Sequence, residues 1–385
     1  MCLKLGCKMH PFDNVPNGYS IVDQITFYLS GGSIMKTRKS VSLQISLSVW
    51  FTAAILLSAC GATAASGKQA APGSSGQPGQ EVTELRYQGS VGSVTYPELA
   101  EDLGYLAPLK LKFIGNTISG PQDIQATVTG DTDFGGAFNG AIVKLIAAKA
   151  PIKAVISYYG VDDLTWTGYY VLDDSPIRTA RDLIGKKIAV NTLGAHHEFV
   201  IKEYLRREGL TSEEIKQVTL VVVPPVTSEQ TLRANQIDVA TLGGILRDKA
   251  LERGGIRPLF TDRELFGNFS AGSYVITDKF VQNNPNTVRK FVEGTAKAIE
   301  WARTTPRDEV IARYAKIIKE RNRKEDATAI QFWKSTGIAG KGGLIAESEF
   351  STWVDWLVKE GELRQGDYSP DELYTNAYNP YDKPE

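Results

Sequence analysis

The chain has 385 residues, 43 Lys and Arg against 44 Asp and Glu, and 42% hydrophobic residues. That gives room for about two domains of roughly 100–200 residues, with a core large enough to need no disulfide or metal staple. Near-neutral charge excludes a dedicated nucleic-acid binder, which needs a concentrated basic surface. Three cysteines exclude a disulfide scaffold.

Lys36, Arg38 and Lys39 precede an apolar run from Ile45 to Leu57 that stops at Leu57-Ser58-Ala59-Cys60. A basic segment, a short apolar segment and small residues at its end are the signature of a secretory signal. The run is shorter than the roughly 20 residues that span a hydrocarbon core, which argues against a permanent transmembrane helix. Leu-Ser-Ala-Cys resembles the bacterial lipoprotein signal box, in which the Cys is lipidated and becomes the first mature residue. Gly61 to Gln80 is rich in Gly, Ala, Ser and Pro with a single charge, which describes a flexible tether. The expected divisions are an extension over 1–34 with Met35 as the start, a signal over 35–59, lipidation at Cys60, and a tether over 60–82.

From Thr83 short apolar runs alternate with longer amphipathic ones. Leu85 to Tyr87 reads as a strand, Tyr96 to Leu103 as a helix closed by Gly104, and Leu109 to Ile114 as a second strand with period two. Pro121 to Thr129 is a helix with Pro in its first turn. Asp133 to Gly135 is a strand end, Asn139 to Ala148 a helix, and Ile152 to Tyr158 and Tyr169 to Leu172 are strands. The middle repeats the plan. Strands are expected at Lys187 to Val190, Val218 to Val223 (β-branched and buried), Ile237 to Ala240 and Ile256 to Phe260. Helices are expected at Glu198 to Glu208, Ser228 to Ala234 and Ile245 to Glu252. Beyond a strand at Ser273 to Thr277 the pattern becomes helical, over Pro285 to Thr304, Arg307 to Lys319, Ala327 to Thr336 and Ser348 to Lys359.

This rhythm predicts an α/β protein of two lobes, with mostly parallel sheets, helices on both faces and a helical C-terminal tail. Lobe I takes 83–173 and 270–385, and lobe II takes 174–269. The chain is expected to cross near Asp173–Pro176 and return near Phe266–Gly272. Small ligands favour such a cleft, at the carboxyl ends of strands where helices begin.

Reactive chemistry is sparse. The histidines are His10, His196 and His197, and no Gly-x-Ser-x-Gly, Walker-type loop, GxGxxG after a strand or HExxH occurs. Asp162-Asp163 and Asp173-Asp174 read as turn formers. His196 and His197 are adjacent and point in different directions, a poor chelating pair, and a His at a helix start favours its neutral form. Binding, with no cofactor and no metal, is the better starting point. Gly-rich strand-to-helix junctions carry it, because glycine lets a backbone approach a ligand and a helix start offers free N–H groups. They lie at Gln88–Ser93, Gly135–Gly140, Asn191–His196 and Thr241–Gly244. Tyr159 and Trp166 flank a loop that suits a cleft wall.

Tyr87-Gln88-Gly89-Ser90-Val91, Asp133 to Ala141 (DFGGAFNGA) and Ser175 to Val190 (SPIxTxxDLxGKKIAV) together resemble the substrate-binding proteins of ABC importers for sulfonates, taurine and nitrate, and the related thiamine-precursor binders. The resemblance covers about 83–330. It implies a two-lobed periplasmic-binding fold of type II that closes on a small-molecule ligand and presents it to a membrane permease. The protein would be exported and anchored through Cys60 to the outer face of the cytoplasmic membrane, or periplasmic, and monomeric. The implied ligand residues are Gln88, Gly89, Ser90, Val91, Phe138, Asn139, Tyr159 and Trp166 on one side. Across from them stand Thr192, Gly194, Ala195, His196, Thr227 and Gly243. An aliphatic sulfonate is the preferred ligand. Gly194-Ala195-His196 replaces the Gly-Ser-Ser of sulfonate binders, so a pyrimidine or aromatic carboxylate is the alternative. A pyrimidine-forming enzyme is the reading from another class.

Overall fold

The computed structural model describes residues 80–382. The extension, the signal, Cys60 and nearly all of the tether lie outside the described residues.

The first half builds β1 (Glu84–Gly89), α1 (Tyr96–Asp102), β2 (Lys110–Asn116), α2 (Gly120–Thr129), β3 (Gly135–Phe138), α3 (Asn139–Ala147) and β4 (Ile152–Val161). Local chemistry accounts for them. In β1 alternate residues Leu85, Tyr87 and Gly89 turn inward, the period of two that a strand imposes. Helix α1 starts at a Thr95–Glu98 capping box with Pro97 in its first turn. Helix α2 stops at Gly130, whose φ of 82° suits glycine.

The second half holds β5 (Thr167–Leu172), β6 (Lys187–Val190), α4 (His196–Arg207), α5 (Ser212–Ile215), β7 (Thr219–Val222), α6 (Pro225–Arg233), β8 (Ala240–Gly243), α7 (Gly244–Arg253), β9 (Ile256–Thr261) and α8 (Asp262–Phe266). The chain then returns through β10 (Phe269–Thr277), α9 (Asp278–Asn283), α10 (Pro285–Thr304), α11 (Arg307–Glu320), α12 (Ser348–Lys359) and α13 (Pro370–Leu373). As expected for the tail, α10 packs on α1 and α12 on α3.

Pairing directions are mixed. Strands β1–β2 and β6–β7 are parallel, as the alternating pattern implied, whereas β10 runs antiparallel to both β3 and β4, and β5 antiparallel to both β8 and β9. The antiparallel strands β5 and β10 are the ones that follow the two crossings between the lobes. Thr167–Leu172, grouped with the first lobe in the sequence reading, pairs with β8 and β9, so the crossing lies at residues 162–166. Asp173–Pro176 carries linker-like residues but forms a turn at the end of β5, where the Asp173 N–H donates to the Gly255 carbonyl at 3.2 Å.

Three further expectations change. Among the described residues strand β7 pairs only with β6, at a sheet edge, so Val222 is 56% exposed and the β-branched run is half-buried. Residues 328–332 form a short 3-10 turn in place of a helix to Thr336. Beyond it Ser335 is drawn to the crossing, bonding Thr165 at 2.7 Å and Asp162 at 2.9 Å. Strands β3 and β8 lie later than predicted and run directly into α3 and α7 with no intervening loop.

Two hydrophobic clusters occupy the first lobe, around Leu99, Val155 and Phe291 and around Ile142, Phe350 and Trp353. The second lobe is centred on Val171, Ile188, Val200 and Phe260, with a smaller cluster at Tyr170 and Leu242. Full burial of each such side chain is worth about 1.5–3 kcal/mol. No helix among the described residues is long and apolar enough to cross a membrane.

Candidate functional site

A cleft of about 460 Å³ lies where the two lobes face each other. The first lobe supplies the β1–α1 turn, the start of α2, the end of β3 and the end of β4. The second supplies the crossing at Trp166, the start of α4, the β8–α7 junction and Asp262 at the head of α8. Two hydrogen bonds span its mouth, from Ser119 Oγ to Thr192 Oγ1 and from Asn191 Nδ2 to the Ile118 carbonyl, both at 3.4 Å.

Of the residues expected at the ligand, the cleft gathers Gln88, Gly89, Ser90, Phe138, Tyr159, Trp166, Ala195, His196 and Gly243. The others stand elsewhere. Val91 is 64% exposed on the outer surface. Asn139 is buried beneath β10, accepting from Ser273 Oγ at 2.8 Å and donating to the Glu349 carbonyl at 3.1 Å. Thr192 stands at the mouth. The Gly194 N–H is taken by Glu198 Oε2 at 2.8 Å, and Gly194 borders a separate surface hollow beside Leu193 and Pro121. Thr227 is exposed on α6 and donates to the Pro224 carbonyl at 3.0 Å. Asn139 directly follows Phe138 at the end of β3, and a one-residue change of direction there turns its side chain from cleft to core.

Two carboxyls that the sequence reading did not place at the site line the cleft. Asp123, in the first turn of α2, accepts from the Gly136 N–H through Oδ2 at 2.7 Å. Asp262, the first residue of α8, accepts from the Thr167 N–H through Oδ1 at 2.9 Å. The second oxygen of each is buried without a hydrogen-bond partner among the described residues, as are Gln88 Oε1, His196 Nε2 and His197 Nδ1. Burial pushes both Asp123 and Asp262 up to about 7, since desolvation penalises the charged form. Burial pulls His196 down to about 3, with the neighbouring His197 adding to the effect, and His197 down to about 4. Both imidazoles are therefore neutral at pH 7. His196 Nε2 stands 3.6 Å from Asp262 Oδ2, beyond hydrogen-bond distance. Among the described residues no lysine or arginine lines the cleft, and no group of three or more His, Cys, Asp or Glu side chains is arranged to hold a metal ion.

Aromatic rings form the walls. The His196 imidazole lies parallel to Phe138, with centroids 5.1 Å apart. Tyr158 stacks on Tyr274 at 4.3 Å and meets Tyr159 edge-on at 4.9 Å. Gly272 in β10 makes room for this wall, since a Cβ there would lie 2.0 Å from the Tyr159 ring and 2.5 Å from the Ala137 carbonyl. Gly272→Ala is accordingly expected to cost about 1–3 kcal/mol through overpacking and to displace Tyr159. Urea unfolding checks it, and an unchanged midpoint would contradict the packing described.

Signals for the missed residues were present. Thr261-Asp262-Arg263-Glu264 is a capping box, which announces a short helix and places Asp262 at its head. Asp123 sits two residues after Pro121, where first-turn acids are favoured. Neither signal says that the carboxyl faces a cleft.

Solved structures share this architecture. The alkanesulfonate-binding protein SsuA from Xanthomonas axonopodis pv. citri, bound to MOPS, superposes with a TM-score of 0.60 at 18% identity, over 77% of this chain and 100% of that one. The periplasmic nitrate-binding protein NrtA from Synechocystis PCC 6803 gives 0.60 at 14% identity, over 77% and 87%. At these identities the likeness is one of fold, the two-lobed periplasmic-binding fold. In sequence, an Escherichia coli (strain K12) protein provisionally named for binding aliphatic sulfonates is 26% identical over 202 residues, 52% of this chain. The match spans 60% of the length of that curated relative. The family described as NMT1/THI5 like matches residues 99–309. That stretch is more than half of the chain and takes in Asp123, Phe138, His196 and Asp262, so by sequence as well as by fold the chain belongs to the NMT1/THI5-like family.

Proposed function

We propose that this protein is an exported solute-binding lipoprotein, anchored through Cys60, that closes on a small organic ligand and presents it to the permease of an ABC importer. The observation that carries the reading is the cleft itself. It draws walls from both lobes, and it holds five buried polar side-chain atoms that lack partners among the described residues. Buried polar groups are almost always hydrogen-bonded, and a ligand would supply the missing partners. The protein is read as a monomeric binder that acts without a cofactor, in preference to an enzyme.

The relatives' names favour an aliphatic sulfonate. The pyrimidine alternative is favoured by a different observation, the aromatic walls formed by Phe138, Tyr158, Tyr159 and Trp166 around acceptor atoms. The test is a thermal-stability screen of the full chain with sulfonates, nitrate, carboxylates and pyrimidines. A true ligand at 100-fold excess over Kd is expected to add about 2.7 kcal/mol to stability. His196→Ala is expected to weaken that ligand several-fold. A screen with no shift from any class would overturn the solute-binding reading, and unchanged affinity in the variant would remove His196 from the site.

A further inference from the structure

Three of the five unpartnered atoms differ in kind from those an oxyanion needs. A carboxylate oxygen and an amide oxygen only accept hydrogen bonds, and Gln88 Oε1, Asp123 Oδ1 and Asp262 Oδ2 are all of this type. Asp123 is 7% exposed and Asp262 is fully buried, so neither can satisfy its free oxygen in bulk water. Two guanidinium groups behind the walls are already engaged: Arg247 stacks on Trp166 and pairs with Asp248, and Arg323, beside Gly89, pairs with Glu98 at 3.0 Å. The start of α2, which could attract an anion, carries a carboxyl of the protein itself in its first turn, Asp123.

Resting on the solute-binding reading, we propose that the ligand is a compact cation bearing N–H donors, such as an amidinium or a guanidinium, held by Asp123 from one lobe and Asp262 from the other. Such a cation brings a donor to each orphaned oxygen, and its charge favours the ionised form of both carboxyls. Burial holds these carboxyls up to about 7 in the unliganded cleft. An anion would place a like charge beside both carboxyls, where a cation supplies the opposite one. Because the acids come from opposite lobes, a cation that reaches both also draws the cleft shut. The flat aromatic walls suit a planar head group, whose face they can cover.

The test compares matched probes on the full chain at pH 8 by calorimetry and thermal shift. Benzamidinium and phenylguanidinium are set against benzenesulfonate and benzoate. The cations are expected to bind at least tenfold more tightly than the anions, and Asp123→Asn and Asp262→Asn each to weaken them at least tenfold. The wild-type charge comparison needs no variant, so it holds even where a substitution impairs folding. Anions binding as tightly as the cations would overturn the proposal and leave the solute-binding reading standing. Silence from both charge classes would overturn the proposal, and silence across the wider screen as well would overturn the solute-binding reading.

Discussion

Arg247→Ala is expected to cost about 3–5 kcal/mol of stability, in the range found when one partner of a buried ion pair is removed. The Arg247 side chain has no exposed surface, and its guanidinium lies 3.7 Å above the Trp166 ring. It donates to the Trp166 carbonyl at 3.0 Å and the Leu164 carbonyl at 3.3 Å, and pairs with Asp248 at 2.8 Å. Asp248 in turn binds Lys334 of the tail at 2.8 Å. One side chain on α7 thus holds the crossing at 162–166 and, through Asp248, the segment that packs beside it. Truncation leaves two carbonyls without donors and a carboxylate with Lys334 alone. Arg247→Met keeps much of the volume and the contact with Trp166, so it separates lost packing from lost charge. Urea unfolding measures both variants. A loss below about 1 kcal/mol for Arg247→Ala, within the range of an exposed ion pair, would show that the crossing is held by other means.

Phe138→Ala is expected to cost about 3–5 kcal/mol as well, the usual range for truncating a buried aromatic ring. Phe138 is 2% exposed at the end of β3. Its ring lies parallel to His196, meets Phe199 at 5.0 Å and meets Trp353 at 4.6 Å, both edge-on. It therefore joins the first lobe to the start of α4 and to α12. Its loss opens a void beside the cleft and frees the His196 ring, so ligand affinity should fall together with stability. Phe138→Leu keeps most of the volume and should lose less than half as much. If Phe138→Ala unfolded at the wild-type midpoint, the ring would have no part in joining the lobes.

Much of the secondary structure was legible because its causes are local. The Pro285–Thr304 helix has the same bounds in the sequence reading and in the structure, since Val288, Phe291, Val292 and Ile299 recur at helical spacing and a Pro opens it. Lys187–Val190 and Ser348–Lys359 likewise coincide. Strand direction was less legible. A strand's own pattern says which face is buried and nothing about the direction of its neighbour, so β5 and β10 could be placed in sheets only after their partners were known. The exposure of β7 shows the same gap, because a run of β-branched residues reads alike in a sheet centre and at an edge.

The candidate site divides along that line. Gln88–Ser90, Phe138, Ala195–His196 and Gly243 could be picked out because junctions of strand and helix point toward a cleft in this kind of fold. Asn139, beside Phe138, could not be told apart from it in sequence, yet it serves a buried network with Ser273 and Glu349.

By itself, then, the sequence determined the order of elements, the scarcity of reactive groups and the junctions where a ligand could be met. Each depends on neighbours along the chain. Tertiary structure alone decided that Asp123 and Asp262, far apart in sequence, would both lose water and line one cavity beside two neutral imidazoles. Desolvation depends on everything packed around a group, and no spacing along the chain encodes it.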